Sequence, residues 1–217
     1  MVINHVGTND SILNKFIAEI RDESIQKDSL RFRRNIERIG EILGYEFSKS
    51  IDYVPQAIKT PLGIKNIQIP AKKMVICSIL RAGLPLHQGL LNYFDDAENG
   101  FISAYRHHPK NDKDFEIIVD YFAAPDMKEK TLILADPMLA TGQSLIAVYQ
   151  AIKKTRTIDH LHIISVVAST EGIANIKESF PANTQLWVAT IDNELNDKGY
   201  IVPGLGDAGD LAFGTKL

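Results

Sequence analysis

The sequence predicts an α/β fold built on a doubly wound, mostly parallel sheet, and two observations carry that expectation. Beyond about residue 72 apolar runs recur, among them "MVICSIL", "TLILAD", "LHIISVVA" and "LWVATID". Strands buried on both faces carry such near-continuous runs, and sheets buried on both faces are characteristically parallel. Helical spacing fills the intervals between several of them, in "LPLHQGLLNYF", "QSLIAVYQAIKKT" and "TEGIANIKESF". Strands alternating with helices are the pattern of a parallel sheet with crossovers on its faces.

Taken in order, the first third is helical in pattern. In "RFRRNIERIGEILGYEF", Phe32, Ile36, Ile39 and Leu43 share one helical face, while Arg33, Glu37 and Glu41 fall elsewhere. Gly40 and Gly44 either weaken this helix or permit close packing. After "MVICSIL", the pair "FISAYR" and "EIIVDYF" flanks the polar stretch "HHPKNDKD" and reads as an antiparallel hairpin or arm. In "QSLIAVYQAIKKT", Leu145, Val148, Tyr149 and Ile152 form the core-facing stripe, so this helix starts near Thr141 or Gly142. The chain closes in a Gly-rich tail. With no repeat or low-complexity stretch, residues 1–217 are expected to form a single domain.

Composition narrows the class. The chain is 45% hydrophobic and 24% charged with a net charge of −3, which gives no general basic field for nucleic acid. One cysteine, Cys77, excludes an internal disulfide and fits a reducing compartment. No apolar run approaches the ~18 residues of a membrane span, and "MVINHVGTND" lacks the apolar region of a signal peptide. The expectation is a cytoplasmic protein with neither a nucleic-acid nor a membrane partner. Cys77 and Trp187, each inside an apolar strand, are expected in the core.

The stretch "ILADPMLATGQS", residues 133–144, points to chemistry. A buried strand ends in Asp136, and a turn of small residues leads into a helix. In open α/β sheets ligands bind beyond the carboxyl ends of the strands, where a helix N-terminus offers free N–H groups and the positive end of its dipole. Ala140 and Gly142 let an anion approach the backbone, and Thr141 and Ser144 add hydroxyls. A phosphate monoester fits. A Walker loop is excluded by the missing lysine and a dinucleotide fingerprint by the single glycine. Asp136 would repel a phosphate, so it must serve another part of the ligand, and two vicinal sugar hydroxyls are the natural match. A plain capped βα turn is the competing reading.

These residues resemble the phosphoribosyl pyrophosphate (PRPP) loop of the type I phosphoribosyltransferase family, and D-P-M-L-A-T-G resembles its uracil-specific branch in particular. "SILRAGLPL" (78–86) resembles the family's R-A-G-L segment, and "GYIVPGLGDAGDLAFGT" (199–215) its C-terminal uracil-binding segment. With weaker matches in "RFRR…LGYEF" and "STEGIANI", the resemblance spans essentially the whole chain. It implies a pyrimidine-salvage reaction in which PRPP and uracil give UMP and pyrophosphate, on a fold with an antiparallel arm and a C-terminal hood over the base. It further implies PRPP binding by Asp136, Pro137, Met138, Leu139, Ala140, Thr141, Gly142, Gln143 and Ser144, with Arg81 and Arg106 on the pyrophosphate. Ile201, Gly206, Asp207 and Ala208 would form the uracil site, with Asp207 also near PRPP. Catalytic roles would then fall to Asp207, Arg81 and Arg106. Mg²⁺ would arrive as Mg–PRPP rather than in a protein cage, and the family suggests a homo-oligomer, a dimer or higher.

Each assignment has a physical reading. Displacing pyrophosphate from an anomeric carbon loads negative charge on the leaving group while the ribose becomes oxocarbenium-like, so positioning and charge stabilisation dominate. Arg81 would present planar donors to phosphate oxygens. Arg106 ends its strand before a polar loop, where a closing arm could exclude water, although a solvated hairpin charge is the alternative. His107 and His108 are adjacent rather than spaced as metal ligands, and Lys110 and Lys113 could help attract PRPP. Gly204, Gly206 and Gly209 leave backbone groups free to face a flat base. Asp207 either accepts the proton of the reacting ring nitrogen or organises Mg–PRPP through water, and the sequence leaves both open. Gln143 departs from the family, which has a second glycine there, and "RHHPKND" departs from the more acidic, threonine-containing sequence that usually follows the arginine. A transferase for another base and a PRPP- or UMP-sensing regulator are the rival readings; the intact tail opposes the first, and the retained arginines the second.

Overall fold

A computed structural model describes residues 1–107 and 116–215. The elements in chain order are β1 (Val2–His5), α1 (Ile12–Arg21), α2 (Ser29–Ser48), β2 (Tyr53–Thr60), β3 (Gly63–Pro70), β4 (Met74–Leu80), α3 (Gly83–Leu91), β5 (Glu98–His107) and β6 (Glu116–Ala123). There follow β7 (Thr131–Ala135), β8 (Met138–Leu139), α4 (Gln143–Lys153), β9 (His160–Ser169), α5 (Thr170–Ser179), β10 (Gln185–Asp192), β11 (Glu194–Leu195), β12 (Ile201–Val202) and α6 (Ala208–Phe213).

The main sheet runs β1-β10-β9-β7-β4-β5-β6, with β8 alongside β9. Every pairing is parallel except β5 with β6. From β4 the chain passes through α3 to β5 on one side, whereas β7 lies on the other side of β4 and leads away to β9 and β10. The strand order therefore reverses between β4 and β7, and ligands of open α/β sheets bind at such a reversal.

The sheet is buried on both faces. Ile76 of β4, Ile133 of β7 and Trp187 of β10 pack with Phe32, Ile36 and Ile39 of α2 and Leu86 and Leu90 of α3. Val75 and Cys77 of β4, with Leu132 and Leu134 of β7, face the other layer, where Leu145, Val148, Tyr149 and Ile152 of α4 and Ile173 and Ile176 of α5 cover them. Adjacent strand residues thus serve opposite layers, which is why apolar residues fill both faces of these strands and run nearly without interruption. Cys77 is fully buried, and burial pushes its thiol pKa up to about 12. Gly40 is a packing position, since a Cβ there would come within 2.9 Å of the Leu86 carbonyl oxygen.

The first third holds more than helix. β1 adds a parallel edge strand against β10. Residues 53–70, inside the third whose pattern predicts helix, form an antiparallel hairpin instead. Pro61 supplies no backbone donor and fixes φ at the turn, and Thr60 Oγ1 accepts from Leu62 N there. Among the described residues the hairpin pairs with no other strand, and it is exposed along nearly its whole length.

Candidate active site

Both loops at the strand-order reversal open onto one cavity of about 530 Å³, lined by Arg81 and Ala82 after β4, Asp136 after β7, Ser144 of α4 and Gly206–Gly209 of the tail. Asp136 is only 9% exposed. Its Oδ1 accepts from Met138 N at 3.2 Å. Burial pushes its pKa up to about 7, with the Met138 N–H pulling the other way. A carboxylate in this position gains from any further donor that reaches it.

The turn after Asp136 is built by contacts that no local pattern announces. Val166 N and Val167 N both donate to the Pro137 carbonyl, at 3.1 and 2.9 Å. Gly142 takes a φ of +77° as the cap of α4 and, having no side chain, makes no capping bond of its own. A Cβ there would meet Ile176 Cγ2 at 2.9 Å and the Gly172 carbonyl oxygen at 3.1 Å, so glycine is required both for conformation and for the approach of α5. Gly172 is tighter still, with a Cβ only 2.1 Å from the Ala140 carbonyl oxygen. Ser169 Oγ donates to that same oxygen at 2.6 Å and accepts from Gly172 N at 2.8 Å. Asn175 Nδ2 donates to the Thr141 carbonyl at 3.1 Å. Ser169, Gly172 and Asn175 thus support the turn from α5 and the end of β9. The segment "TEGIANIKESF" predicts the helix and "STEGIANI" a weak family likeness, and neither pattern announces these contacts.

The nine consecutive residues expected to bind PRPP divide by environment. Met138, Ala140 and Ser144 line the cavity with Asp136. A smaller niche of about 40 Å³ at the start of α4 is lined by Thr141 and Gly142 as well. Leu139 packs into the core with Ala168 and Ile173, and Pro137 is buried. Gln143 is exposed as the first residue of α4, and its N–H donates to Thr141 Oγ1 at 3.4 Å.

Arg81 follows a cis Leu80–Arg81 peptide. Its Nη2 donates to Asp210 Oδ1 at 3.3 Å and to the Gly214 carbonyl at 3.1 Å. Beneath its turn a polar chain runs from the buried Ser78 and His87 out to the exposed Asn99. Ser78 Oγ lies 2.7 Å from His87 Nδ1, and His87 Nε2 lies 2.8 Å from Asn99 Oδ1, while Asn99 Nδ2 donates to the Ala97 carbonyl. With Asn99 Oδ1 accepting, Nε2 carries the proton and Nδ1 accepts from Ser78. Burial lowers the pKa of His87, with the Asn99 bond opposing, so this chain ties β4, α3 and β5 together as a neutral unit.

The tail closes the cavity from above. Ile201 and Ala208 are buried, and Gly206 has a φ of +92° with open space around it. Asp207 Oδ1 accepts from Asp210 N at 3.0 Å, so this carboxylate caps α6. That role lay outside both alternatives read from the sequence. Arg106 lies in β5 opposite Ile117; its side chain and that of His107, with residues His108, Lys110 and Lys113, lie outside the described residues. Among the described residues, no group of three His, Cys, Asp or Glu side chains is arranged to hold a metal.

The family model described as uracil phosphoribosyltransferase matches residues 7–215. A uracil phosphoribosyltransferase of Porphyromonas gingivalis is 49% identical over 217 residues, the full length of both chains. One from Pyrococcus furiosus is 42% identical over 94% of this chain and 86% of its own. Among solved structures, the AQ2163 protein of Aquifex aeolicus is similar over 100% of both chains, with a TM-score of 0.86 and 29% identity.

Proposed function

This chain belongs to the uracil phosphoribosyltransferase family, and from that premise we propose how its own residues carry the transfer of phosphoribose from PRPP to uracil. Asp136 accepts hydrogen bonds from the ribose hydroxyls. The N–H groups at the start of α4, with the Thr141 and Ser144 hydroxyls, hold the 5-phosphate. Arg81, joined by Arg106 from the arm, takes the charge that builds on the departing pyrophosphate. The observation that carries this reading is the shared cavity, where a buried carboxylate stands beside an open helix N-terminus, with a strand-end arginine and the Gly-rich tail facing them.

Uracil lies under the tail, against Ile201, Gly206, Asp207 and Ala208. Its two carbonyls flank one ring N–H, a pattern that backbone groups freed by glycine can match. Cytosine places an amino donor where the site must also donate, a mismatch of roughly 1–3 kcal/mol. Asp207 is already committed to the α6 cap through one oxygen, which favours a role in holding the tail and its water shell over proton abstraction.

Among the described residues, the anionic groups lining the cavity are two hard oxygen donors, Asp136 and Asp207. That set suits Mg²⁺ delivered on the substrate, because Mg²⁺ retains waters and phosphate oxygens. When bound, the ion offsets negative charge on the diphosphate. Placing the enzyme in the cytoplasm is supported by a buried, unpaired Cys77. We also assign the exposed hairpin of β2 and β3 to a homo-oligomer contact. An isolated two-stranded hairpin is marginal in water, and this one carries Leu62 at 100% and Ile64 at 77% exposure.

Purified protein given Mg²⁺, PRPP and uracil is expected to form UMP with release of pyrophosphate, and to use cytosine poorly. PRPP binding without UMP formation would favour a regulator instead.

A further inference from the structure

Two charged residues outside the cavity hold the turn that leads into the tail. Arg21 is the last residue of α1 and Asp192 the last of β10. Their pairing is bidentate, Nη1 to Oδ2 at 2.8 Å and Nη2 to Oδ1 at 2.9 Å, with side chains 20% and 9% exposed. Both charges also grip Gly204. Arg21 Nη1 donates to the Gly204 carbonyl at 3.1 Å, and Gly204 N donates to Asp192 Oδ2 at 3.0 Å. Arg21 Nη2 further reaches Thr190 Oγ1 at 3.3 Å.

Gly204 is the pivot of this segment. Its φ is +55°, and a Cβ there would lie 2.1 Å from the Ile201 carbonyl oxygen, so the chain doubles back tightly onto Ile201. Two residues later Gly206 lines the cavity. The segment's own strand pairing is short and local, two residues of β11 against two of β12. The ion pair instead anchors it to the carboxyl end of the main sheet and to α1. Packed apolar side chains could often replace a buried ion pair without loss of stability, whereas neither a leucine nor a valine could donate to one side of Gly204 and accept from the other.

We propose that Arg21 and Asp192 are positioning residues for the base, a clamp that sets where Ile201 and Gly206 stand and thereby the affinity for uracil rather than for PRPP. The inference rests on the reading that the tail from Ile201 to Ala208 holds uracil.

The test compares steady-state KM values for uracil and for PRPP, with kcat and Tm, in Arg21→Gln, Asp192→Asn, the double variant, Arg21→Lys and Gly206→Ala. Gly206→Ala changes the turn directly, since its φ strains any Cβ. Arg21→Gln and Asp192→Asn are each expected to raise the uracil KM about tenfold or more while the PRPP KM stays within about twofold. The double variant is expected to do less than the product of the singles, because the pair acts as one unit. Arg21→Lys is expected to recover part of the loss. If Gly206→Ala raises the uracil KM and the clamp variants move both KM values equally or neither, the clamp is overturned. If Gly206→Ala also leaves the uracil KM unchanged, the placement of uracil falls instead. Should Arg21→Gln fail to fold, Asp192→Asn and Arg21→Lys decide by the same split.

Discussion

Arg81 Nη2 stands 3.3 Å from Asp210 Oδ1, so the arginine that follows β4 reaches across the cavity to the first turn of α6. The sheet side of the site and its hood are joined by the group that we assign to the departing pyrophosphate. The pair is 39% and 32% exposed, and ion pairs at that exposure contribute little to stability. The arrangement therefore connects two parts of the site without fixing them, and a diphosphate can displace the carboxylate.

Arg81→Gln is accordingly expected to lower kcat/KM for PRPP about tenfold to a hundredfold, the worth of a hydrogen bond to a charged group, while Tm stays within a degree or two. Steady-state kinetics with PRPP varied, alongside thermal denaturation, checks this. If the ion pair itself were what mattered, Asp210→Asn would do equal damage, and that result would count against the assignment.

Asp136 yields a prediction in pH. Its folded pKa of about 7 lies above the usual carboxylate value near 3.9. Between those values the folded free protein holds a proton that the unfolded chain has lost, so stability falls as pH rises from about 4 to about 7 and stays reduced above that. Asp136→Asn removes the buried charge, so the ligand-free variant is expected to gain Tm relative to the parent at pH 8 and little at pH 4. Ribose hydroxyls donating to the carboxylate favour its charged form. PRPP binding to the parent should therefore release a proton from Asp136 between about pH 5 and 7, measurable by calorimetry in two buffers. Asp136→Asn should lack that release while retaining the ligand's own phosphate titration. It should also impair PRPP use far more than uracil recognition, and equal damage to both would undo the ribose assignment.

Features encoded locally were legible in the sequence. Apolar runs marked β4, β7, β9 and β10, the 3.6-residue stripe from Leu145 to Ile152 marked α4, and a strand ending in Asp136 before small residues marked the turn between them. The hairpin of β2 and β3 is not legible although "KTPLG" carries a turn signal, because its strands lack a clean alternation and lie outside both core layers. What no local pattern could show was support across the chain. Gly172 against Ala140, Asn175 on Thr141 and Arg21 on Asp192 depend on the crossovers that bring distant segments together. Each is an ordinary residue until the sheet order places it.

The buttress under the phosphate turn makes a prediction of this kind. Gly172→Ala would set a Cβ against the Ala140 carbonyl oxygen, forcing a backbone shift, since close-packed interiors tolerate overfilling poorly. Overpacking of this sort costs about 1–3 kcal/mol, or a fall in Tm of roughly 2–12 °C for a chain of this size. The turn carries Thr141 and Gly142, so the PRPP KM should rise with it while the uracil KM moves less. Thermal denaturation and kinetics on the same preparation test both halves, and a variant with a lowered Tm and an unchanged PRPP KM would separate the buttress from the site.

The hairpin assignment can be tested by charge. Ile64 pairs with Lys59 across the hairpin, and Ile67 with Gln56, and both isoleucines are exposed in the single chain. Burying such side chains between copies contributes about 1.5–3 kcal/mol each, while an aspartate in their place would have to be desolvated without a partner. Ile64→Asp combined with Ile67→Asp is therefore expected to shift sedimentation from a dimer or larger species to the monomer. The hairpin lies outside both core layers, so the fold itself should survive, with near-parental far-ultraviolet circular dichroism. An unchanged sedimentation coefficient in the double variant would free the hairpin from any role in assembly, and loss of the fold would show that it supports the monomer instead.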